Sequence, residues 1–366
     1  MTSAASSAAS SAVSPASVPF PGPGAGRGAQ RLVSPADLRA RAREPGAQGS
    51  SPQTLAALAR ALCQQVESVV VGKAQAVQTT VATLLAGGHL LIEDVPGVGK
   101  TTLALALARC LDLSVSRIQF TADLLPADIT GVSVYDQSTR DFRFHPGPVF
   151  ANIVVADEVN RATPRTQSAL LEAMGEDQVS VEGRSLALPD PFMVVATQNP
   201  LDMEGTYRLP EAQRDRFMTR ISMGYPDVAA ETAMHTDRAG ADPLEALRPL
   251  ACAEDVRRAR SAVARLHLAE PVAAYIVALV AATRHDRALA LGASPRAGLQ
   301  LAGLARARAA AAGRDFVSPD DVAQVADAVL THRLVPADRF ASAAQAHQAA
   351  GEVLAQIVSR TPVPGS

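Results

Sequence analysis

Residues 89 to 102 restrict what this chain can become more than any other stretch. His89-Leu90-Leu91-Ile92 is a short apolar run of the buried-strand type, Glu93-Asp94-Val95-Pro96-Gly97-Val98-Gly99 turns, and Lys100-Thr101-Thr102 opens a helix. A strand, a glycine turn and a helix N-terminus in that order form a P-loop, a cradle for anions. Glycine at 97 and 99 lets successive backbone N–H groups curl around phosphate oxygens, and the helix start adds partial positive charge. Residues Asp94, Val95, Pro96, Gly97, Val98, Gly99, Lys100, Thr101 and Thr102 are therefore the candidate contacts to a nucleotide. Lys100 would meet the β- and γ-phosphates, and the Thr101 hydroxyl would ligate Mg²⁺. The strict pattern G-x-x-x-x-G-K-[ST] wants glycine at 94, where this chain has Asp94. The competing reading is a glycine turn before an ordinary amphipathic helix, because Leu103, Leu107, Cys110 and Leu111 share one helical face. Against it stands composition. Lys73 and Lys100 are the only lysines, so a lysine at this position runs against the arginine bias of the chain.

A second stretch has the same character. Ala151-Asn152-Ile153-Val154-Val155-Ala156 is nearly continuously apolar, as a strand covered on both faces must be, and Asp157-Glu158 close it at the end where open parallel sheets bind ligands. Asp157 is placed to hold Mg²⁺ through water and Glu158 to polarise an attacking water. Taken alone, two acids after a strand could simply cap the next helix. A third buried-type run, Phe192 to Ala196, ends in Thr197-Gln198-Asn199-Pro200, where Asn199 could help position the hydrolytic water. Further on, Leu209 to Phe217 sets Arg214 and Arg216 beside a short predicted strand, Ile221-Ser222-Met223.

Around these runs the chain divides into three parts. Residues 1 to 50 are rich in Ala, Ser, Pro and Gly with scattered arginines, a composition that predicts a disordered tail. Residues 51 to 226 alternate predicted helices and about five strands, including Ser116 to Phe120, with hairpins predicted over 132–145 and 175–191, which is an α/β pattern. From 227 to 366 helical faces take over, such as Val272, Ile276, Leu279 and Val280. Ser294-Pro295 and Ser318-Pro319 supply helix starts. At 366 residues and 48% apolar content the chain can bury a large core. A net charge of −2 gives no electrostatic reason to expect nucleic acid or an anionic membrane. Cys63, Cys110 and Cys252 are few and widely spaced, which argues against a disulfide framework or a zinc site and for a reducing compartment, the cytoplasm. No apolar run reaches membrane-spanning length, and no signal sequence is evident.

Together the segments Glu93 to Thr102, Phe120 to Gly131, Gly147 to Phe150, Asp157 to Met174, Ala196 to Pro200, Leu209 to Phe217 and Gly292 to Arg296 make the chain, from about residue 52 to 335, resemble the MoxR family of AAA+ ATPases. The resemblance implies a P-loop NTPase core with a five-stranded parallel sheet and helices on both faces, followed by an all-helical lid. It implies that Asp157 and Glu158 are Walker B and that Asn199 is sensor 1. Arg216 would be an arginine finger acting across a subunit boundary, and Arg296 would be sensor 2 in the lid. The segments near 131–145 and 175–190 match the helix-2 insert and the hairpin before sensor 1, and Asp94 is usual in the family. Arg208 and Arg214 stand where the family usually has proline and an apolar residue, so the finger loop holds additional cations. Implied partners are further copies of the chain, as a homo-hexamer, a protein carrying a von Willebrand A domain, and a protein client. Implied cofactors are ATP and Mg²⁺.

Four functions are open to a chain with these motifs. The leading one is ATP hydrolysis coupled to chaperone-like remodelling, maturation or metal-cofactor insertion of another protein. A GTPase would need an Asn-Lys-x-Asp segment, which a chain with two lysines lacks. A motor or loader on nucleic acid is disfavoured by the acidic balance. A scaffold that binds nucleotide without turnover would not need Glu158, Asn199 and Arg216 together.

Overall fold

The computed structural model describes residues 52–95, 97–181, 183–199, 207, 209–225, 228, 231–232 and 242–363, all within one compact unit. The predicted tail, Pro96, Pro200, Arg208 and the expected boundary at 226 lie outside these residues. The chain opens with helices α1 (Pro52–Glu67) and α2 (Ala74–Leu85). Leu55, Ala59, Leu62 and Val66 recur at helical spacing and form the buried stripe of α1. Strand β1 (Leu90–Glu93) leads into α3 (Lys100–Arg109), followed by β2 (Val115–Gln119), the short α4 (Pro126–Thr130), and the hairpin of β3 (Gly131–Asp136) and β4 (Asp141–Pro146). Then come β5 (Ile153–Asp157), α5 (Pro164–Glu176), the hairpin of β6 (Gln178–Val181) and β7 (Arg184–Ala187), and β8 (Met193–Gln198). The one-turn α6 (Glu211–Arg214) precedes β9 (Thr219–Ile221).

Five of these strands form one parallel sheet in the order β2-β5-β8-β1-β9. Both faces are covered, and alternate residues serve different interiors as the two-residue period of a strand requires. Ile153 and Val155 of β5, Leu90 and Ile92 of β1, and Met193 and Val195 of β8 face one core. Val154 and Ala156, Leu91, and Val194 and Ala196 face the other, with Leu170, Leu171 and Met174 of α5 packed over them. The ninth strand ends at Ile221, not at Met223 as the sequence suggests, because Ser222 to Gly224 bond to the Asp94 side chain and leave the ladder.

Beyond residue 242 helices dominate: α7 (Ala253–Ala264), α8 (Glu270–His285), α9 (Pro295–Ala311), α10 (Pro319–Leu330) and α11 (Ala343–Arg360). Ser294 and Ser318 cap α9 and α10 through their hydroxyls, each followed by proline in the first turn. A short antiparallel ladder, Leu289–Leu291 with Val335–Pro336, accompanies them. The first core does not stop at the sheet. Leu301 and Leu304 of α9, Val322 and Leu330 of α10 and Leu354 of α11 belong to the same cluster as Leu62, Leu84 and Leu90.

Candidate functional site

The glycine turn leaves β1 at the C-terminal edge of the sheet. Gly97 (φ +86°) and Gly99 (φ +89°) are left-handed, a conformation that costs residues with a Cβ about 1–2 kcal/mol each. A Cβ at Gly97 would meet no atom within 4 Å, so the space beside that residue is open. Gly99 caps α3, and Lys100, Thr101 and Thr102 are its first residues. The Lys100 ammonium donates to the Asp94 carbonyl oxygen at 2.6 Å, across the turn. Burial lowers the Lys100 pKa, against the opposing pull of Asp94, Glu158 and Asp157.

Asp94 uses its carboxylate in a way the motif does not announce. It accepts from Val95 N (2.9 Å), Met223 N (2.6 Å), Gly224 N (2.6 Å) and the Ser222 hydroxyl (3.0 Å). Burial works to raise its pKa, but these donors prevail and the net shift is downward. The side chain thus fastens the start of the turn to the end of β9, while its backbone carbonyl holds Lys100.

The acidic pair at the end of β5 stands against the first turn of α3. The Thr101 hydroxyl lies 3.3 and 3.4 Å from the two Asp157 carboxylate oxygens. Thr197 of β8 donates its hydroxyl to Asp157 (3.2 Å) and accepts from the Glu158 backbone N–H (3.0 Å), bridging two strands. The Arg117 guanidinium of β2 meets Asp157 at 2.6 Å. Glu158 is left-handed (φ +56°), and its carboxylate accepts from Arg161 (2.8 Å) and Gln119 (3.3 Å). A hydroxyl and one carboxylate side by side are hard oxygen donors of the kind Mg²⁺ takes together with phosphate oxygens and water. The glycine turn beside them leads into the N-terminus of α3, an end of a helix that favours phosphate groups. Among the described residues no cluster of three or more His, Cys, Asp or Glu forms a separate metal cage.

The remaining sequence-predicted residues are placed as follows. Asn199 is buried one residue beyond β8, and its carbonyl accepts from Asn160 (3.3 Å). Arg216 donates from Nη1 to the Leu171 carbonyl of α5 at 2.7 Å and lies over Gly175, where any Cβ would stand 2.0 Å from the same nitrogen. Arg214 pairs with Glu211 at 3.4 Å. Arg296 is exposed in the first turn of α9. The structure therefore gathers Lys100, Thr101, Asp157 and Glu158, and sets Arg216 on α5. Thr197 and Arg117 belong to the cluster but were not singled out in the sequence. A threonine closing an otherwise apolar run was the available signal for Thr197, whereas nothing distinguished Arg117 among many arginines.

Comparison with known proteins places this geometry in context. Residues 89–219 match the model of the ATPase family associated with various cellular activities, and residues 281–357 match an AAA lid domain. The uncharacterized protein YeaC of Bacillus subtilis is 46% identical over 272 residues, 74% of this chain and 85% of that protein. Chaperone MoxR1 of Mycobacterium tuberculosis is 44% identical over 280 residues, 74% of each. A Cytophaga hutchinsonii protein whose crystal structure carries an inferred ATPase assignment superposes with a TM-score of 0.76 at 34% identity, covering 85% of this chain and 96% of the other.

Proposed function

Because the chain belongs to the MoxR family of AAA+ ATPases, we propose that it hydrolyses ATP to ADP and phosphate with Mg²⁺ and uses the cycle to remodel or mature a client protein, metal-cofactor insertion included. The observation that carries this reading is the approach of Thr101 to Asp157, which puts the glycine turn and the acidic strand end around one space.

In this reading Gly97 to Thr102 receive the phosphates, and Lys100 exchanges the Asp94 carbonyl for them. Thr101 and Asp157 would hold Mg²⁺, which would supply positive charge beside the transferred group. Glu158 orients and deprotonates the attacking water once freed from Arg161 and Gln119, and Asn199 steadies that water. Thr197 keeps the two acids in register. Arg216 completes the site of a neighbouring protomer in a hexameric ring, with Arg214 as the second cation of that segment, and Arg296 responds to nucleotide from the lid. A von Willebrand A domain partner and a cytoplasmic setting complete the proposal. No helix of the described residues is long and apolar enough to cross a membrane. The division at residue 226 is kept as a functional one, between a nucleotide-binding part and a lid that share a core.

The decisive experiment is Glu158→Gln. The variant should bind ATP with undiminished affinity while losing most turnover, and the trapped complex should retain the client in a pull-down. Wild-type hydrolysis rates in that variant would remove Glu158 from its role.

A further inference from the structure

Asp215 lies between Arg214 and Arg216, and its carboxylate faces the lid. It accepts from the Ser294 hydroxyl at 3.0 Å and from Arg333 Nε at 2.8 Å. Ser294 is the residue whose side chain caps α9, two positions before Arg296. Arg333 is buried, and its guanidinium also reaches the carbonyls of Asp215 and Met218 (3.3 and 3.4 Å) and that of Phe217. The adjoining His332 is bonded to the Phe217 carbonyl at 3.2 Å. Backbone bonds from Asp215 to Glu211, Arg216 to Gln213 and Phe217 to Arg214 make the segment one tight turn. Charge-assisted bonds made to several partners at once hold such a junction tightly in its geometry.

Three bodies meet at that carboxylate: the cap of the helix carrying Arg296, the turn Thr331–Arg333 that follows the lid helix α10, and the turn carrying Arg216. We propose that Asp215 is a positioning residue that transmits the orientation of the lid to Arg216, so that nucleotide bound in one protomer sets the reach of the arginine it offers to the next. The inference rests on the reading of Arg216 as a finger acting in trans. Arg216 is held on Leu171 of its own protomer, and it can serve a neighbour only by leaving that carbonyl. Movement of α9 pulls on Ser294, and Asp215 passes the displacement to the adjacent residue. Population shift of this kind needs a contact whose strength differs between two states, and the bonds of Asp215 to Ser294 and Arg333 are the ones that a movement of the lid would alter.

The test uses Asp215→Asn in the full-length protein, with Arg216→Ala as reference. Steady-state hydrolysis by Asp215→Asn should fall on the order of 10- to 100-fold, the cost of a misplaced reacting group. Affinity for a fluorescent ATP analogue should be unchanged, because the variant's own glycine turn is intact. Mixing with Glu158→Gln subunits, whose arginines are intact, should restore hydrolysis in the Asp215→Asn sites, as it should for Arg216→Ala. Should the single change leave Arg333 too poorly compensated to fold, Asp215→Asn combined with Arg333→Gln keeps the junction neutral and should give the same loss and the same rescue. Wild-type activity in either variant overturns the proposal, as does a loss that mixing does not rescue while Arg216→Ala is rescued. If Arg216→Ala is not rescued either, the trans reading itself has failed and this inference falls with it.

Discussion

Replacing Asp94 by alanine tests the claim that this residue is a clasp between the glycine turn and β9. Besides the bond from its neighbour Val95 N, the wild-type carboxylate, only 7% exposed, takes hydrogen bonds from two backbone N–H groups beyond β9, Met223 and Gly224, both at 2.6 Å, and from the Ser222 hydroxyl. A buried donor left without its partner costs roughly 1–3 kcal/mol, and the hydroxyl can rotate to another acceptor while the amides cannot. Two amides therefore put the loss at about 2–6 kcal/mol, a large fraction of the roughly 5–15 kcal/mol that holds a domain together. For a unit of this size that corresponds to a melting point lower by roughly 5–15 °C. Asp94→Asn should fall between, since one amide oxygen still accepts. The pH dependence has a definite sign. The folded pKa lies below the usual carboxylate value of about 3.9, so the clasp contributes fully above that value and is lost as pH falls through the lowered pKa. The advantage of wild type over Asp94→Ala should consequently shrink only in strong acid. Urea unfolding across pH and a fluorescent-nucleotide titration measure both effects, the second because a slackened turn binds phosphate less well. An alanine variant that melts within about 1–2 °C of wild type and binds nucleotide equally would refute the clasp.

Further outcomes are expected from other contacts. Thr197→Val preserves shape but deprives Asp157 of a donor and the Glu158 amide of an acceptor. It should cost about 1–2 kcal/mol of stability and lower kcat more than nucleotide affinity, a split that a combined turnover and binding measurement resolves. His347 accepts from Arg220, which also holds Glu93. Burial, reinforced by Arg220, lowers its pKa from 6.5 to about 4. The unfolded chain thus binds the proton more readily, so stability is fully present above about pH 6.5 and declines as pH falls toward 4. Burial does the same to His89, whose pKa is also about 4, so His347→Gln should flatten the profile in part and not wholly, as read by thermal melts between pH 4 and 7.

The sheet was legible because its inner strands are covered on both sides, and a segment such as Ile153 to Ala156 has little alternative to burial. The hairpins at 131–146 and 178–187 were legible for the opposite reason, since alternation around a turn marks a two-stranded ribbon. The strand near 221 ends two residues before the expected Met223 because its end is set by Asp94, more than a hundred positions earlier, and periodicity carries no information about such a partner. Asp94 itself showed only as a departure from a pattern. Its reason is the row of amides at 223 and 224, which no local window contains. Arg117 and Asp215 were missed on the same ground: their significance comes from what the fold brings to them. Chemistry read from local motifs was therefore visible early, whereas the contacts that hold and couple those motifs needed coordinates.

The sharing of one interior by the sheet and the C-terminal helices limits how the molecule can work. Leucines of α9, α10 and α11 belong to one buried cluster with those of α1, α2 and β1, so a protein cut after β9 would present an oily wall to water instead of a finished surface. The C-terminal part is consequently no detachable cap. Any movement it makes on nucleotide exchange has to keep that shared wall covered, which leaves the polar junctions at its rim to take up the displacement.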